Sequence, residues 1–221
     1  MIRVSAFRWV PPSVQGLVRD LRVRWALEEA GVPYEEHLIG PEDQKSAAYH
    51  ALQPFGQVPV LEEDETTMFE SGAIVLHIAE RSPALMPDDS HGRERVRTWT
   101  LAALNTIEPP IAMLGFMQLQ PGGVAEGAQP LRDTIAGWVG MRLDNLVAFL
   151  GEREHLVAER FTAADLMMTT VLRMLRDTDL VEQRPALTAY RDRAQARPAF
   201  RKALDAQLAA FARHAPAPAK H

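Results

Sequence analysis

Residues 53–81 read QPFGQVPVLEEDETTMFESGAIVLHIAER, and this stretch decides the fold. Val58, Val60 and Leu61 surround Pro59 in a run that otherwise reads as a strand, so Pro59 predicts an edge or irregular position with a cis bond before it. The acidic turn Glu63 to Glu65 leads into Thr66 to Phe69, which predicts a hairpin partner. From Ser71 to Arg81 the pattern changes to helix, with Ile74, Val75 and Ile78 on one face. A backbone edge beside Val58 can pair with an extended peptide through its N–H and C=O. Ser71 suits a helix N-cap, and the N–H groups of a helix start hold a carboxylate. Glu70 beside it offers a partner for an ammonium group, so the pair fits the two charged ends of an α-amino acid.

Upstream, Ile2 to Trp9 alternates as a first strand and stops at Pro11 and Pro12. Val14, Leu17, Val18, Leu21 and Trp25 then recur at helical spacing, with Arg19, Asp20, Arg22, Arg24, Glu28 and Glu29 between them, which predicts an amphipathic helix closed by Gly31 and Pro33. Tyr34 to Ile39 reads as a second strand and Ala47 to Leu52 as a short helix. Downstream, Ser82 to Gly92 has the proline-bearing polar composition of a linker, and everything beyond it reads as helix. Candidates are Arg93 to Leu119, divided or kinked at Pro109 and Pro110, Leu131 to Leu150, Thr162 to Arg176 and Arg184 to Phe211. The expected organisation is a domain over residues 1–82, a linker over 83–92, a helical domain over 93–214 and a flexible tail over 215–221.

The 221 residues carry a net charge of −5, which opposes nucleic-acid binding, and the balance of 47% hydrophobic to 24% charged residues is that of a globular protein. There is no cysteine, hence no disulfide, no thiolate metal site and no cysteine nucleophile. Met1 to Val10 has no secretory pattern and no apolar run is long enough to span a membrane, so a cytoplasmic protein with no membrane partner is expected. His77, His91 and His155 lack metal-ligand spacing, so no metal is expected.

The chain resembles the soluble glutathione transferase family, as a bacterial-type member. Val58 and Pro59 match the family's valine and cis-proline, and Glu70 and Ser71 match the acidic residue and serine that hold the γ-glutamyl group. Val23 to Glu29, Gly31 to Tyr34, Gln57 and Phe161 to Asp165 extend the likeness over nearly the whole chain, Thr162 and Asp165 matching a helix-capping box. The resemblance implies a thioredoxin-like α/β N-terminal domain and an all-α C-terminal domain that supplies most of an apolar second-substrate pocket. It also implies glutathione as co-substrate, a small hydrophobic electrophile as second partner, a role in detoxification and a homodimer. Gln57, Val58, Pro59, Glu70 and Ser71 would bind glutathione.

Members of the family lower the thiol pKa with a tyrosine or serine donor near the first strand and helix, or use cysteine. Here the first tyrosine is Tyr34, and counting back from Val23 and Arg24 places the serine or cysteine position on Leu17, which has no donor. Ser13, at the N-terminus of a helix that starts after Pro12, is the leading catalytic candidate, with Trp9, Ser5 and Gln15 as rivals and the backbone N–H groups of Val10 to Gly16 as a further route. The alternative function is a non-catalytic glutathione-binding or carrier protein. Trp99, Met113, Phe116 and Met117 fit either a pocket wall or, more simply, core.

Overall fold

A computed structural model describes residues 1–118 and 125–217. The chain forms two compact units, Met1–Ser82 joined by the residues from Arg197 onward, and Pro83–Ala196.

The first unit is built on a four-stranded sheet in the order β2-β1-β3-β4. Strand β1 (Ile2–Phe7) runs parallel to β2 (Tyr34–Ile39), the crossover being helix α1 (Asp20–Ala30). Short helices α2 (Pro41–Gln44) and α3 (Ala47–Leu52) lead to the hairpin of β3 (Val60–Glu63) and β4 (Thr66–Phe69), and α4 (Ser71–Glu80) follows. Strand β3 is antiparallel to both neighbours, Val4 facing Leu61 and Val60 facing Phe69. Helix α1 ends as its sequence predicts, Gly31 at φ 66° donating its N–H to the Leu27 and Glu28 carbonyls.

Its start is different. The spacing predicts a helix that starts after Pro12, but Pro12–Val14 is a single 3-10 turn and α1 begins at Asp20. Gly16 at φ 76° and the Gln15 side chain, which donates to the Val10 carbonyl at 2.9 Å, turn this segment out of helical geometry. Ser13 therefore lies in a loop turn and not at the α1 N-terminus, which removes the helix-dipole reason for choosing it. The polar face of α1 also departs from expectation, since Asp20, Arg22 and Arg24 are all buried.

Asp20 is covered by the last helix, α10 (Pro198–Arg213 in chain order), which packs its Phe200, Ala203, Ala210 and Phe211 side into the first unit, whereas Arg22 lies against Ser71 of α4 and Arg24 bonds Asp20 and Glu36. Trp25 of α1 meets Phe200 edge-on with ring centroids 4.8 Å apart. Gln207 donates to Asp20 Oδ1 at 2.6 Å, Asp20 accepts from Arg24 Nε at 2.7 Å, and Arg197 clasps Glu29 with two bonds of 2.6 and 2.8 Å. The expected helical domain over 93–214 thus loses its final helix to the first unit. The predicted single helix Arg184 to Phe211 is in fact two, because Pro198 cannot continue a preceding turn and instead begins a new one.

The second unit contains helices α5 (Ser90–Ala102), α6 (Glu108–Gln118), α7 (Gln129–Leu150), α8 (Ala163–Leu172) and α9 (Pro185–Gln195). Residues 103–107 are a π-helical turn joining α5 to α6, so Pro109 and Pro110 fall in the first turn of α6, where a missing N–H is tolerated. Helix α8 is buried along its whole length. The capping box forms as read, with the Asp165 carboxylate accepting from the Thr162 N–H at 2.9 Å, and it also accepts from the Leu156 N–H and the Tyr190 hydroxyl. Trp99 packs against Phe149 with ring centroids 4.3 Å apart and planes tilted by 45°, whereas Met113 and Phe116 are exposed rather than core. Residue 119, at the end of one expected helix, and 218–221 of the expected tail lie outside the described residues. Among the described residues no helix is long and apolar enough to cross a membrane.

Candidate functional site

Strand register gathers the candidate residues at one end of the sheet. Because Val60 faces Phe69, Val58 and Pro59 just before β3 and Glu70 and Ser71 just after β4 emerge side by side. Strand β1 is antiparallel to β3, so the loop that follows Phe7 leaves from this same end and brings Trp9, Ser13 and Gln15 with it.

Glu70, and not Ser71 as the sequence suggests, is the N-cap of α4, Ser71 being its first helical residue, and Glu70 has φ 70° and ψ 110°, a conformation that a side chain with a Cβ adopts only at a cost. Its carbonyl accepts from the Ile74 N–H at 3.0 Å, while its side chain is exposed and makes no capping bond. The strained turn points the first N–H groups of α4 out of the hairpin end, where they and the helix dipole favour an anion. Ser71 is buried at this helix start, and its hydroxyl accepts from Arg22 Nη1 at 3.2 Å. Arg22 is the residue that sequence reasoning missed. Helical spacing assigns it to a solvent face of α1, but burial beside Ser71 adds a guanidinium charge to the same anion-favouring corner.

The neighbouring loop is held by its own contacts. Gln44 Nε2 donates to the Gly56 carbonyl at 2.7 Å, and Gln53 Oε1 accepts from the Phe55 N–H at 2.6 Å. Gly56 sits at φ 63°, which favours glycine, and the Gln44 carbonyl and His50 ring, 3.3 Å from where a Cβ would stand, would make any side chain a tight fit. Gln57 is exposed, Val58 and Pro59 are buried, and the bond between the last two is cis.

The candidates for a thiol activator separate on geometry. Ser5 is buried within β1, its hydroxyl bonded to Tyr49 Oη and to the Val60 N–H, so it is a structural node with no exposed donor. The Gln15 amide donates within its own loop. Ser13 is exposed and Trp9 half-buried on that loop.

A corner that favours a carboxylate, with an exposed carboxylate and an irregular backbone edge beside it, is suited to an α-amino acid end of a short peptide. The sequence profile described as "Glutathione S-transferase, N-terminal domain" matches residues 21–89, and that described as "Glutathione S-transferase, C-terminal domain" matches residues 132–207. The chain belongs to the glutathione S-transferase family. It is 31% identical over 192 residues to glutathione S-transferase 4 of Zea mays, covering 82% of this chain and 85% of that protein. Among solved structures it is similar to glutathione transferase F7 from Populus trichocarpa, with a TM-score of 0.80, 25% identity and coverage of 94% of this chain and 99% of that one. A glutathione transferase family member from Pseudomonas fluorescens, solved with two glutathione bound, has a TM-score of 0.80 at 25% identity and covers 92% of each chain. Gln57, Val58, Pro59, Glu70, Ser71 and Arg22 all fall within the first matched region. Ser13 and Trp9 precede it.

Proposed function

We propose that the chain is a glutathione transferase that binds glutathione as a thiolate for attack on a small apolar electrophile. The observation that carries this reading is the hairpin end, where strand register brings Val58, Glu70 and Ser71 together and the Arg22 guanidinium of α1 joins them by its bond to Ser71. The γ-glutamyl carboxylate takes the Ser71 hydroxyl and the α4 N–H groups, with Arg22 supplying positive charge behind them. The γ-glutamyl ammonium takes Glu70, the cysteinyl unit pairs with the Val58 backbone beside Pro59, and Gln57 contacts the peptide backbone. In the reaction the sulfur–carbon bond forms as the bond from carbon to the leaving group breaks, and the thiol proton has already gone to solvent.

Thiol activation is assigned to the loop after β1, with Ser13 as candidate hydroxyl donor, Trp9 as its rival and the backbone N–H groups of residues 10–16 as the alternative. The homodimer, the electrophile as second partner, an apolar pocket supplied by the helical unit and a cytoplasmic setting rest on family membership. The Pseudomonas fluorescens relative supports a bacterial-type placement, against which stand the Zea mays and Populus relatives of equal or higher identity. A carrier that binds glutathione without activating it is the second reading, favoured by Leu17, which places an apolar side chain at the usual donor position.

Calorimetric titration with glutathione, combined with thiolate absorbance against pH, tests both. The transferase binds glutathione and lowers its thiol pKa, and Ser71→Ala weakens binding by about 1.5–3 kcal/mol, the worth of a hydrogen bond to a charged group. Ser13→Ala raises the bound thiol pKa if its hydroxyl is the donor. Binding without any lowering supports the carrier, and unchanged affinity in Ser71→Ala overturns the site assignment.

A further inference from the structure

Two buried hydroxyls form a chain that ends on the peptide unit carrying the Val58 N–H. The Val60 N–H donates to Ser5 Oγ at 2.7 Å, Ser5 Oγ lies 2.8 Å from Tyr49 Oη, and Tyr49 Oη donates to the Gln57 carbonyl at 2.7 Å. A phenol has one proton, and with it on Gln57 the Ser5 proton must point at Tyr49. Every proton in the chain is therefore directed the same way. Both side chains are buried, and burial pushes the Tyr49 phenol above its ordinary pKa, keeping it protonated and donating.

The Gln57 carbonyl and the Val58 N–H belong to one planar peptide unit, and in a trans unit they point in opposite directions. The cis bond is the next one along, Val58–Pro59. Fixing the carbonyl on Tyr49 thus fixes the direction of the Val58 N–H on the far side. A run of aligned hydrogen bonds also polarises the unit at its end, which makes that N–H a stronger donor. Packing alone does not call for this hydroxyl, because phenylalanine fills the same place between Ile39, Val58 and Val60.

We propose that Tyr49, backed by Ser5, is a positioning residue that aims the Val58 N–H at the cysteinyl carbonyl of bound glutathione. This rests on the glutathione-binding reading of the site. Nothing in the local sequence joins the three positions, since Ser5 lies on β1, Tyr49 on α3 and Val58 ahead of β3.

Tyr49→Phe removes the donor and keeps the ring. The expected result is a Kd and KM for glutathione raised about fivefold, the size of one neutral hydrogen bond, with kcat and the KM for the electrophile unchanged. γ-Glutamylcysteamine, which has the γ-glutamyl end and the thiol but no cysteinyl carbonyl, should compete equally well for the wild type and for Tyr49→Phe. Ser5→Ala removes the backing and also the acceptor of the Val60 N–H, and it should raise the glutathione Kd about twofold while γ-glutamylcysteamine competes as well as in the wild type. Equal glutathione affinity in wild type and Tyr49→Phe overturns the proposal, and so does equal weakening of glutathione and γ-glutamylcysteamine, which marks general loosening. If Tyr49→Phe does not fold, Ser5→Ala decides by the same pair of ligands. Failure of the wild type to bind glutathione overturns the functional reading itself, an outcome distinct from unchanged affinity in the variants.

Discussion

The backbone at Glu70 offers a way to separate what this residue contributes to folding from what it contributes to binding. Its φ of 70° and ψ of 110° lie outside the wells open to ordinary residues, and holding such a conformation costs on the order of 1–3 kcal/mol. Glu70→Ala keeps the Cβ and its strain while removing the carboxylate. Glu70→Gly removes both, and the relief is partly offset by roughly 0.4–1 kcal/mol of extra freedom in the unfolded chain. The bond from the Ile74 N–H to the residue 70 carbonyl survives in both variants. The glycine variant is therefore expected to be more stable than the alanine variant by about 1 kcal/mol, which for a chain of this size is roughly 2–4 °C in melting temperature.

For binding, both variants lose the same partner of the ammonium group. A hydrogen bond to a charged group is worth about 1.5–3 kcal/mol, and solvent screening at an exposed side chain takes the lower end, so affinity for glutathione should fall about tenfold in each. Thermal melts of the unliganded proteins and calorimetric titration with glutathione measure the two quantities separately. A glycine variant less stable than the alanine variant would refute the strain argument. Unchanged affinity in both would refute the role of Glu70 while leaving the strain argument standing.

Gln207→Leu takes a buried donor from the Asp20 carboxylate and from the Val18 carbonyl, and at about 2 kcal/mol for the charged bond it should lower the melting temperature by roughly 4–8 °C; an unshifted melt in scanning calorimetry would mean that the docking of α10 does not depend on it. The Arg184 guanidinium, 2.7 Å from Asp144, holds that carboxyl below its ordinary pKa, so its contribution to stability is present above about pH 4, the unfolded value, and is lost as pH falls through the lower folded value. Asp144→Asn should therefore be less stable than wild type at pH 7 and converge with it under acid, as read by denaturant unfolding at several pH values; a gap that persists unchanged in acid would contradict this.

The hairpin and the turn into α4 were legible because their signals are local. Pro59 marks the irregular position, Glu63 to Glu65 the turn and Ser71 the helix start, each within a few residues of its effect. Binding candidates at 57–59 and 70–71 came from the same stretch, and register then brought them together. The α1 start was misplaced for an equally physical reason. Apolar spacing continues through Val14, Leu17 and Val18, and nothing in that periodicity reveals that Gln15 bonds back to Val10 or that Gly16 takes a positive φ. Arg22 escaped notice because a helical wheel sorts residues by polarity and cannot see a buried hydroxyl 49 positions away.

The deepest omission concerns α10, and it bears on the loop that carries the thiol-activating candidates. That loop is fixed at its start where the Arg8 N–H donates to the Ile39 carbonyl at 2.8 Å, in continuation of the parallel β1–β2 pairing. At its other end, Gln207 holds the Val18 carbonyl at 3.2 Å and Asp20, the first residue of α1, at 2.6 Å. Those bonds span 189 and 187 positions, so the geometry of residues 8–18 depends on one of the most distant helices in the chain. Contacts within β1, α1 and β2 close short loops, whereas the far anchor of the loop closes a long one, whose entropic cost is greater by a term in the logarithm of its length. Once formed, it also explains why α1 tolerates a buried Asp20. The carboxylate is met by Arg24 on its own helix and by Gln207 from α10, and without the second donor a buried charge would be left with an incomplete shell. A residue of the last helix thus helps to hold the far end of the loop that carries Ser13 and the Val10 to Gly16 backbone, which is why no reading of residues 8–18 in isolation could place them.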